Sequence, residues 1–192
     1  MLILTSTIRA AIQCAATKDD RPELKGALLK LRGQTLHVVS TDGTIISKFE
    51  HTYPEIDNGT GGDFEIIVPI DTLKTAAKLA GKKPAIDLIC VDATHWTLGE
   101  LAFAPIDGRY PDYARVIESD RTIGAPGQFD ADLLIRARAA LRAFDGAPKA
   151  EYFLQHRGID SAIMRNDGDA IVVIMPLNAK PAAGMRGIVT RV

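Results

Sequence analysis

The sequence has few of the features that mark secreted, membrane or disulfide-rich proteins. It contains only two cysteines, Cys14 and Cys90, too few for a disulfide framework and too far apart for a CxxC pair. The longest apolar run, residues 170–177, has eight residues, whereas a membrane-spanning helix needs roughly 18. The first residues have neither a basic start nor a long apolar stretch, so they do not predict a signal peptide. These absences predict a cytoplasmic protein that is not bound to a membrane.

Catalytic and metal-binding motifs are also scarce. No Gly-x-Ser-x-Gly nucleophile elbow occurs, and residues 59–62 (Gly-Thr-Gly-Gly) lack the Lys-Ser/Thr ending of a phosphate-binding loop. Asp19 and Asp20 could bind a cation, but they lie beside Arg21, and a charged loop is the simpler interpretation. The four histidines are scattered without metal-ligand spacing: His37, His51, His95 and His156. The sequence therefore predicts a protein that is not an enzyme and has no cofactor or metal.

What the sequence does contain is a repeat of about 60 residues. A short strand is followed by a helix with an apolar stripe and then by three strands, and the order recurs three times. The helices are predicted to start near residues 6, 71 and 131, with Asp71 and Asp130 as caps and Gly81 and Gly146 at the ends of the second and third. The predicted strands are 2–4, 27–31, 35–40, 44–50, 64–68, 85–91, 94–98, 101–104, 149–155, 158–163 and 169–175, with 128–129 opening the third unit.

The repeat predicts an α+β fold with helices on one face of antiparallel sheets. One unit is too small to bury its sheet and helix well, so the units should pair across a shared sheet. The predicted organisation is a complete domain of two units at 1–117, a linker at 118–126, a half domain at 127–178 and a tail at 179–192.

Charge is distributed unevenly over these units. Overall, 23 basic and 24 acidic residues give a net charge of −1. The helical windows 6–17, 72–83 and 133–144 nevertheless hold eight basic residues and no acid, so the other 156 residues carry a net −9. If the units stack alike, one surface would attract phosphates without reading bases; alternatively, these residues decorate solvent faces and favour helix C-termini. The candidate DNA-binding residues are Arg9, Lys74, Lys78, Lys82, Lys83, Arg138 and Arg142.

Three stretches, in order along the chain, resemble the bacterial DNA polymerase III beta sliding clamp. Residues 21–31 (Arg-Pro-Glu-Leu-Lys-Gly-Ala-Leu-Leu-Lys-Leu) with 35–43, ending in Thr-Asp-Gly, are similar to its middle domain. Residues 107–117 (Asp-Gly-Arg-Tyr-Pro-Asp-Tyr-Ala-Arg-Val-Ile) resemble the segment leading out of that domain, and 170–177 resemble the closing strand with its Met-Pro ending. The chain thus resembles a middle domain plus the second half of a last domain.

The resemblance implies a ring of repeated units with helices lining a hole through which DNA passes. It also implies an apolar groove that binds short peptides of polymerases and repair proteins. After Thr41-Asp42-Gly43 the family usually has His-Arg, whereas this chain has Thr44-Ile45, which predicts a more apolar groove. The matching groove positions are Leu24, Thr41, Gly43, Thr44, Ile45, Ile46, Pro111, Arg115, Val116, Val173, Met175, Pro176 and Leu177.

The number of units leaves the function open between two main hypotheses. Family chains have six units and close a twelve-unit ring as dimers, so three units per chain would require a homo-tetramer. The first hypothesis is a sliding clamp-like processivity or accessory factor that encircles duplex DNA as an oligomer and tethers its partners. The alternative is a shortened clamp homologue that does not encircle DNA and acts as a peptide-binding adaptor or competitor of the host clamp. A domain that keeps the fold and neither activity is the third possibility.

Overall fold

The computed structural model describes residues 1–54, 62–117, 127–158 and 161–177. The predicted linker and tail, and residue 178, lie outside these ranges. Within them, no helix is both long and apolar enough to cross a bilayer. In chain order the elements are β1 (Leu2–Leu4), α1 (Thr5–Ile12), a short 3-10 turn (Pro22–Leu24), β2 (Gly26–Arg32), β3 (Thr35–Thr41), β4 (Ile45–Thr52), β5 (Phe64–Pro69), α2 (Ile70–Ala80), β6 (Ala85–Cys90), β7 (Trp96–Leu98), β8 (Leu101–Phe103), α3 (Tyr113–Ile117), α4 (Ala131–Asp145), β9 (Leu154–His156), β10 (Ala162–Arg165) and β11 (Ala170–Ile174).

The strands form two antiparallel sheets, which confirms the predicted α+β class. One sheet has four strands in the order β1-β6-β7-β8, and the other has seven in the order β5-β2-β3-β4-β11-β10-β9. Helices α1, α2 and α4 pack their apolar sides on these sheets and share one principal core with them. The strand–helix–three-strand repeat is therefore present in all three units, except that residues 128–129 do not form a strand.

The first two units complete each other's sheets by exchanging their first strands. Strand β1, which precedes α1, pairs with β6 of the second unit, and β5, which precedes α2, pairs with β2 of the first. The hydrogen bonds at the two helix starts are equivalent. The first amide of α1, at Thr5, donates to Pro84 O at 2.8 Å, and that of α2, at Ile70, donates to Lys25 O at 2.8 Å.

The third unit joins the first unit along its last strand. Strand β11 pairs with β4 over five residues, from Ala170 opposite Phe49 to Ile174 opposite Ile45. On the helix side, the Phe144 ring of α4 stacks on Phe49 with centroids 4.9 Å apart and lies 5.0 Å from the ring of His51. Burial lowers the pKa of His51, which keeps the neutral imidazole in this aromatic cluster. Units one and three thus share both a sheet and a core.

The helices lie side by side in the order α2-α1-α4, with α1 antiparallel to both neighbours. Thr5, at the start of α1, bonds to Pro84 just beyond the end of α2. At the other end of α1, Gln13 O accepts a hydrogen bond from Arg136, in the second turn of α4, at 2.9 Å. The C-terminal ends of α2 and α4 therefore lie on the same side of this helical layer, beside the start of α1.

Most predicted boundaries agree with the structure, and the differences have local causes. Helices begin at residues 5, 70 and 131, within one residue of prediction, and Asp130 caps α4 by accepting from the Asp132 amide at 2.8 Å. The predicted cap at Asp71 is wrong, because Pro69 precedes the helix and Asp71 lies in its first turn. The strand predicted at 149–155 is limited to Leu154–His156, and the one predicted at 158–163 lies at Ala162–Arg165. The helix predicted over 6–17 ends at Ile12, where the amides of Gln13 and Cys14 bond to carbonyls three residues back. Helix α3 was not predicted, since its apolar spacing is limited to five residues.

Candidate nucleic-acid and peptide interfaces

The predicted DNA-binding residues lie on the side of the helical layer that faces away from the sheets. Arg9, Lys74, Lys78 and Arg138 are exposed, whereas the alternate helix positions, such as Leu73 and Ala137, are buried. Lys82 and Lys83 are exposed directly after α2. We call Arg9, Lys74, Lys78, Lys82, Lys83 and Arg138 the basic helical surface.

Two contacts show how members of this set are related. The Arg9 guanidinium donates to Gly81 O at the end of α2, which brings Arg9 close to the lysines on either side of that glycine. Arg142 is half-buried, and its Nε donates to Ala150 O at 2.8 Å. Arg142 therefore supports the end of α4 and presents less of its charge to solvent than Arg138 does.

The sequence windows contain no acidic residue, but helices α2 and α4 do. Asp71 and Asp132 lie in the first turns of α2 and α4, where the helix dipole favours negative charge. Asp145, the last residue of α4, accepts hydrogen bonds from Tyr152 Oη and, at 2.9 Å, from Asn166 Nδ2. Acids therefore lie at the starts of α2 and α4 and at the end of α4, where Asp145 is held by Tyr152 and Asn166.

Arg136 has a structural partner and does not belong to the basic helical surface. Its Nη1 atom lies 2.7 Å from Asp42 Oδ2 in the β3–β4 turn of the first unit. Burial of the Asp42 carboxyl opposes its ionisation, but hydrogen bonds from Thr44 and Arg136 outweigh burial and hold its pKa below the ordinary value. The Arg136–Asp42 pair fastens α4 to the first unit.

We expect Asp42→Asn to reduce both stability at neutral pH and the loss of stability in acid. A lowered folded-state pKa stabilises the fold above the unfolded pKa of about 3.9, and this stabilisation is lost as the pH falls through the folded value. Removing a charged hydrogen-bond partner should cost about 1–3 kcal/mol at pH 7. Urea unfolding between pH 2.5 and 7 measures both effects. Asp167→Asn removes an exposed carboxylate and should leave the dependence of stability on pH unchanged. If the stability of Asp42→Asn falls with pH as steeply as that of the wild type, Asp42 is not the carboxylate responsible.

The opposite face of the seven-stranded sheet carries part of the predicted peptide groove. Strand register places Thr41, Ile46 and Val173 side by side on β3, β4 and β11. Val116 of α3 packs against the small apolar cluster that contains Ile46. These four residues from three separate segments of the chain are therefore neighbours on the outer side of the sheet, where Thr41, Ile46 and Val173 are buried and Val116 is half-buried.

Helix α3 is held on this surface by two residues. Tyr110, 8% exposed, lies in the same apolar cluster, and its hydroxyl lies 3.3 Å from Val39 O and 3.4 Å from Gly26 O. From the third unit, the Arg157 guanidinium donates to the carbonyls of Val116 at 3.1 Å and Ile117 at 2.8 Å. The segment leaving the second unit is thereby anchored to both the first and the third.

The remaining predicted groove residues divide into a rim and two buried positions. Thr44 O accepts a hydrogen bond from the Met175 amide at 2.9 Å, which joins the β3–β4 turn, including exposed Gly43, to the end of β11. Leu24 is fully buried, and Ile45 packs in the principal core on the helix side of the sheet. These two support the surface without lining it. The rim also includes the exposed Pro111, Arg115 and Leu177 and the half-buried Pro176.

Sequence reasoning did not identify α3 or Arg157 as parts of this surface. The signal for α3 was weak but present, since Tyr113, Val116 and Ile117 have the i, i+3, i+4 spacing of an amphipathic helix. Nothing local marks Arg157, because its contacts span 40 and 41 residues along the chain.

Comparison with solved structures identifies the fold as that of bacterial DNA polymerase III beta sliding clamps. A putative DNA polymerase III beta subunit from Eubacterium rectale is 16% identical, with a TM-score of 0.71 over 93% of this chain and 65% of that one. The Bacillus subtilis DNA polymerase sliding clamp is 14% identical, with a TM-score of 0.70 over 93% and 64%. The Helicobacter pylori beta clamp bound to a DNA ligase peptide is 16% identical, with a TM-score of 0.72 over 91% and 63%.

The likeness is structural and partial. No protein-family model matches the chain, and no curated protein matches it in sequence. The chain spans just under two thirds of the length of these clamps.

Proposed function

We propose that this chain is a non-catalytic, clamp-like accessory factor of DNA replication or repair. In this proposal the chain forms part of a homo-oligomeric ring around duplex DNA and tethers a polymerase or repair protein through a peptide groove. The observation that supports it most strongly is the clamp fold combined with a single helical layer whose solvent side carries the basic helical surface. Lysine and arginine on such a lining attract phosphates by charge alone, which suits a protein that must slide.

Ring formation needs more than the three units described. These units follow one another in the spatial order second, first, third, and in the described part of the chain β8 of the second unit and β9 of the third each lie at the edge of a sheet. A ring of twelve units would need four such chains, so we keep the tetramer as the proposed assembly. Molar mass by light scattering, with and without duplex DNA, measures it directly.

A second candidate, a peptide-binding adaptor that does not encircle DNA, is favoured by a specific observation. Thr41, Ile46, Val116 and Val173 meet within one chain, so this surface does not require a closed ring. Binding of clamp-directed peptides without retention on circular DNA would favour the adaptor.

We expect a labelled peptide ending in consecutive apolar residues to bind this surface, and Met175→Ala with Leu177→Ala to weaken it about tenfold or more. Just after β11, Met175 is half-buried and Leu177 is 49% exposed, and truncating apolar anchors commonly costs 1–2 kcal/mol or more. Fluorescence anisotropy measures the affinity. Leu79→Ala removes a leucine of similar exposure, 60%, from α2 on the helical side and should change nothing. Equal affinities for the double variant and wild type would exclude this groove.

A further inference from the structure

The sheet of the third unit is open where the sheets of the first two are closed. Strand β2 is covered by β5, and β6 is covered by β1. The corresponding strand of the third unit, β9, is the last strand of its sheet in the described part of the chain. By the pattern of the other two units, a first strand from another unit belongs beside β9.

The hairpins of the second and third units correspond residue by residue. Val91 N donates to His95 O at 2.9 Å after β6, and Arg157 N donates to Ser161 O at 2.7 Å after β9. Counting back three residues from each donor gives Leu88 and Leu154. Leu88, beside β1, is fully buried, whereas Leu154 is 42% exposed. Its burial is incomplete because nothing in the described chain covers that edge.

The third unit also holds a segment in the position of a first strand. Asp130, directly before α4, has φ −68° and ψ 128°, close to the values of Leu4 before α1 (−64°, 129°) and Pro69 before α2 (−57°, 141°). Gln128 O accepts from Leu177 N at 2.7 Å, as Ile67 O accepts from Ile106 N at 2.9 Å. In both units the acceptor lies three residues before the helix and the donor three residues after the last strand.

This segment cannot reach β9 of its own chain. Gln128 is fixed beside the residues that follow β11, and β10 separates β11 from β9. Because peptide groups alternate along an extended strand, the bond to Leu177 turns the peptide groups of Phe129 to the opposite side. One unit therefore offers both a first strand and an edge that needs one, which is the arrangement of a self-complementary interface.

We propose that a second copy of this chain completes the third unit, with residues 127–130 of each copy pairing antiparallel with residues 151–154 of the other about a two-fold axis. Transfer of the β1–β6 register, in which Leu2 lies opposite Asp87 and Ile3 opposite Ile86, places Gln128 opposite Phe153 of the second copy and Phe129 opposite its Tyr152. The inference rests on the fold and is independent of DNA binding.

Three further observations agree with this interface. Residues 149–155 have a strand-like sequence, yet the strand begins only at Leu154; pairing with a second copy would extend it backwards. Phe153 is 90% exposed. Ile135, 55% exposed, is the fifth residue of α4, as Arg9 is of α1. Because Arg9 meets the end of the neighbouring helix at Gly81, Ile135 would meet the end of α4 of the second copy.

Cysteines placed across the interface test the register. Leu2 and Asp87 form a non-hydrogen-bonded pair, since Leu88 N donates to Met1 O, and side chains in such pairs approach most closely. The equivalent variant, Gln128→Cys with Phe153→Cys, should form a disulfide-linked dimer on mild oxidation, seen on a non-reducing gel. Each single variant should form no more disulfide-linked dimer than the wild type, whose background comes from Cys14 and Cys90. A double variant that stays at this background overturns the proposed register.

Molar mass tests the association itself. Light scattering at micromolar concentration should give an even multiple of the 20.7 kDa chain. Leu154→Lys places a charge at the interface. Its molar mass should fall to half that of the wild-type oligomer or less. Val91→Lys, at a position 62% exposed in the second unit, should keep the wild-type mass. A monomeric wild type overturns the proposal, and so does a Leu154→Lys variant that folds and keeps the full mass. If Leu154→Lys does not fold, the cysteine pair decides.

Discussion

Replacing Phe49 with alanine is expected to lower the free energy of unfolding by about 3–5 kcal/mol, the usual cost of removing a fully buried phenylalanine. Phe49 is 0% exposed, and its ring stacks on Phe144 with an interplanar angle of 17°. It also lies on β4, the strand that pairs with β11. The substitution therefore removes a side chain from the place where the first and third units share their core.

The loss should be local as well as large. Hydrogen exchange should rise first in α4 and β11, because these elements lose their packing against β4, and less in β6–β8 of the second unit. Denaturant unfolding gives the total change. Val91→Ala, at a 62% exposed position, should change stability by less than about 0.5 kcal/mol. If Phe49→Ala raises hydrogen exchange equally in the second and third units, the view that this contact holds the third unit in place is contradicted.

Neutralising Lys78 and Lys82 together is expected to weaken binding to duplex DNA of any sequence. Each phosphate contact that is lost should make the slope of log affinity against log salt shallower by about 0.9, so the pair should change it by about 1.8. Both lysines are exposed around the end of α2, where Arg9 also reaches. Titration of labelled duplex at several salt concentrations measures the slope for Lys78→Gln with Lys82→Gln.

The matched control removes the same charge from elsewhere. Arg109 and Arg165 are exposed on the segment leaving the second unit and on β10, and Arg109→Gln with Arg165→Gln should leave the salt slope close to the wild-type value. If the two double variants weaken binding equally, net charge and not the basic helical surface governs DNA binding. Unchanged binding in Lys78→Gln with Lys82→Gln would remove α2 from the DNA interface.

Local features of the fold could be predicted from the sequence, whereas long-range pairings could not. The starts of the helices and the ends of α2 and α4 followed from apolar stripes and from Asp130, Gly81 and Gly146, because caps act within one turn. The end of α1, at Ile12 and not at residue 17, did not. The pairing of β4 with β11 joins residues more than 100 positions apart, and no local propensity encodes it. Residues 149–153 show the converse case, a strand-like sequence that pairs with no strand in the described part of one chain.

The candidate surfaces divide in the same way. Exposed helix positions such as Lys74 and Arg138 could be predicted from helical periodicity alone. The sequence could not separate Ile45 from Ile46, since one faces the helices and the other the outer surface, and the strand phase depends on register. Arg136 looked like its basic neighbours until the structure placed Asp42 2.7 Å away.

Topological retention on DNA tests the central proposal most directly. The protein is diluted to dissociate oligomers, concentrated in the presence of nicked circular plasmid, and then passed through a sizing column at high salt, where charge attraction is screened. The clamp account predicts that the protein elutes with the circle and is released when a restriction enzyme linearises it. If the protein elutes equally with circular and with linear DNA, it does not encircle the duplex. If it elutes with neither form but still binds the peptide, encirclement is also contradicted and the adaptor role remains.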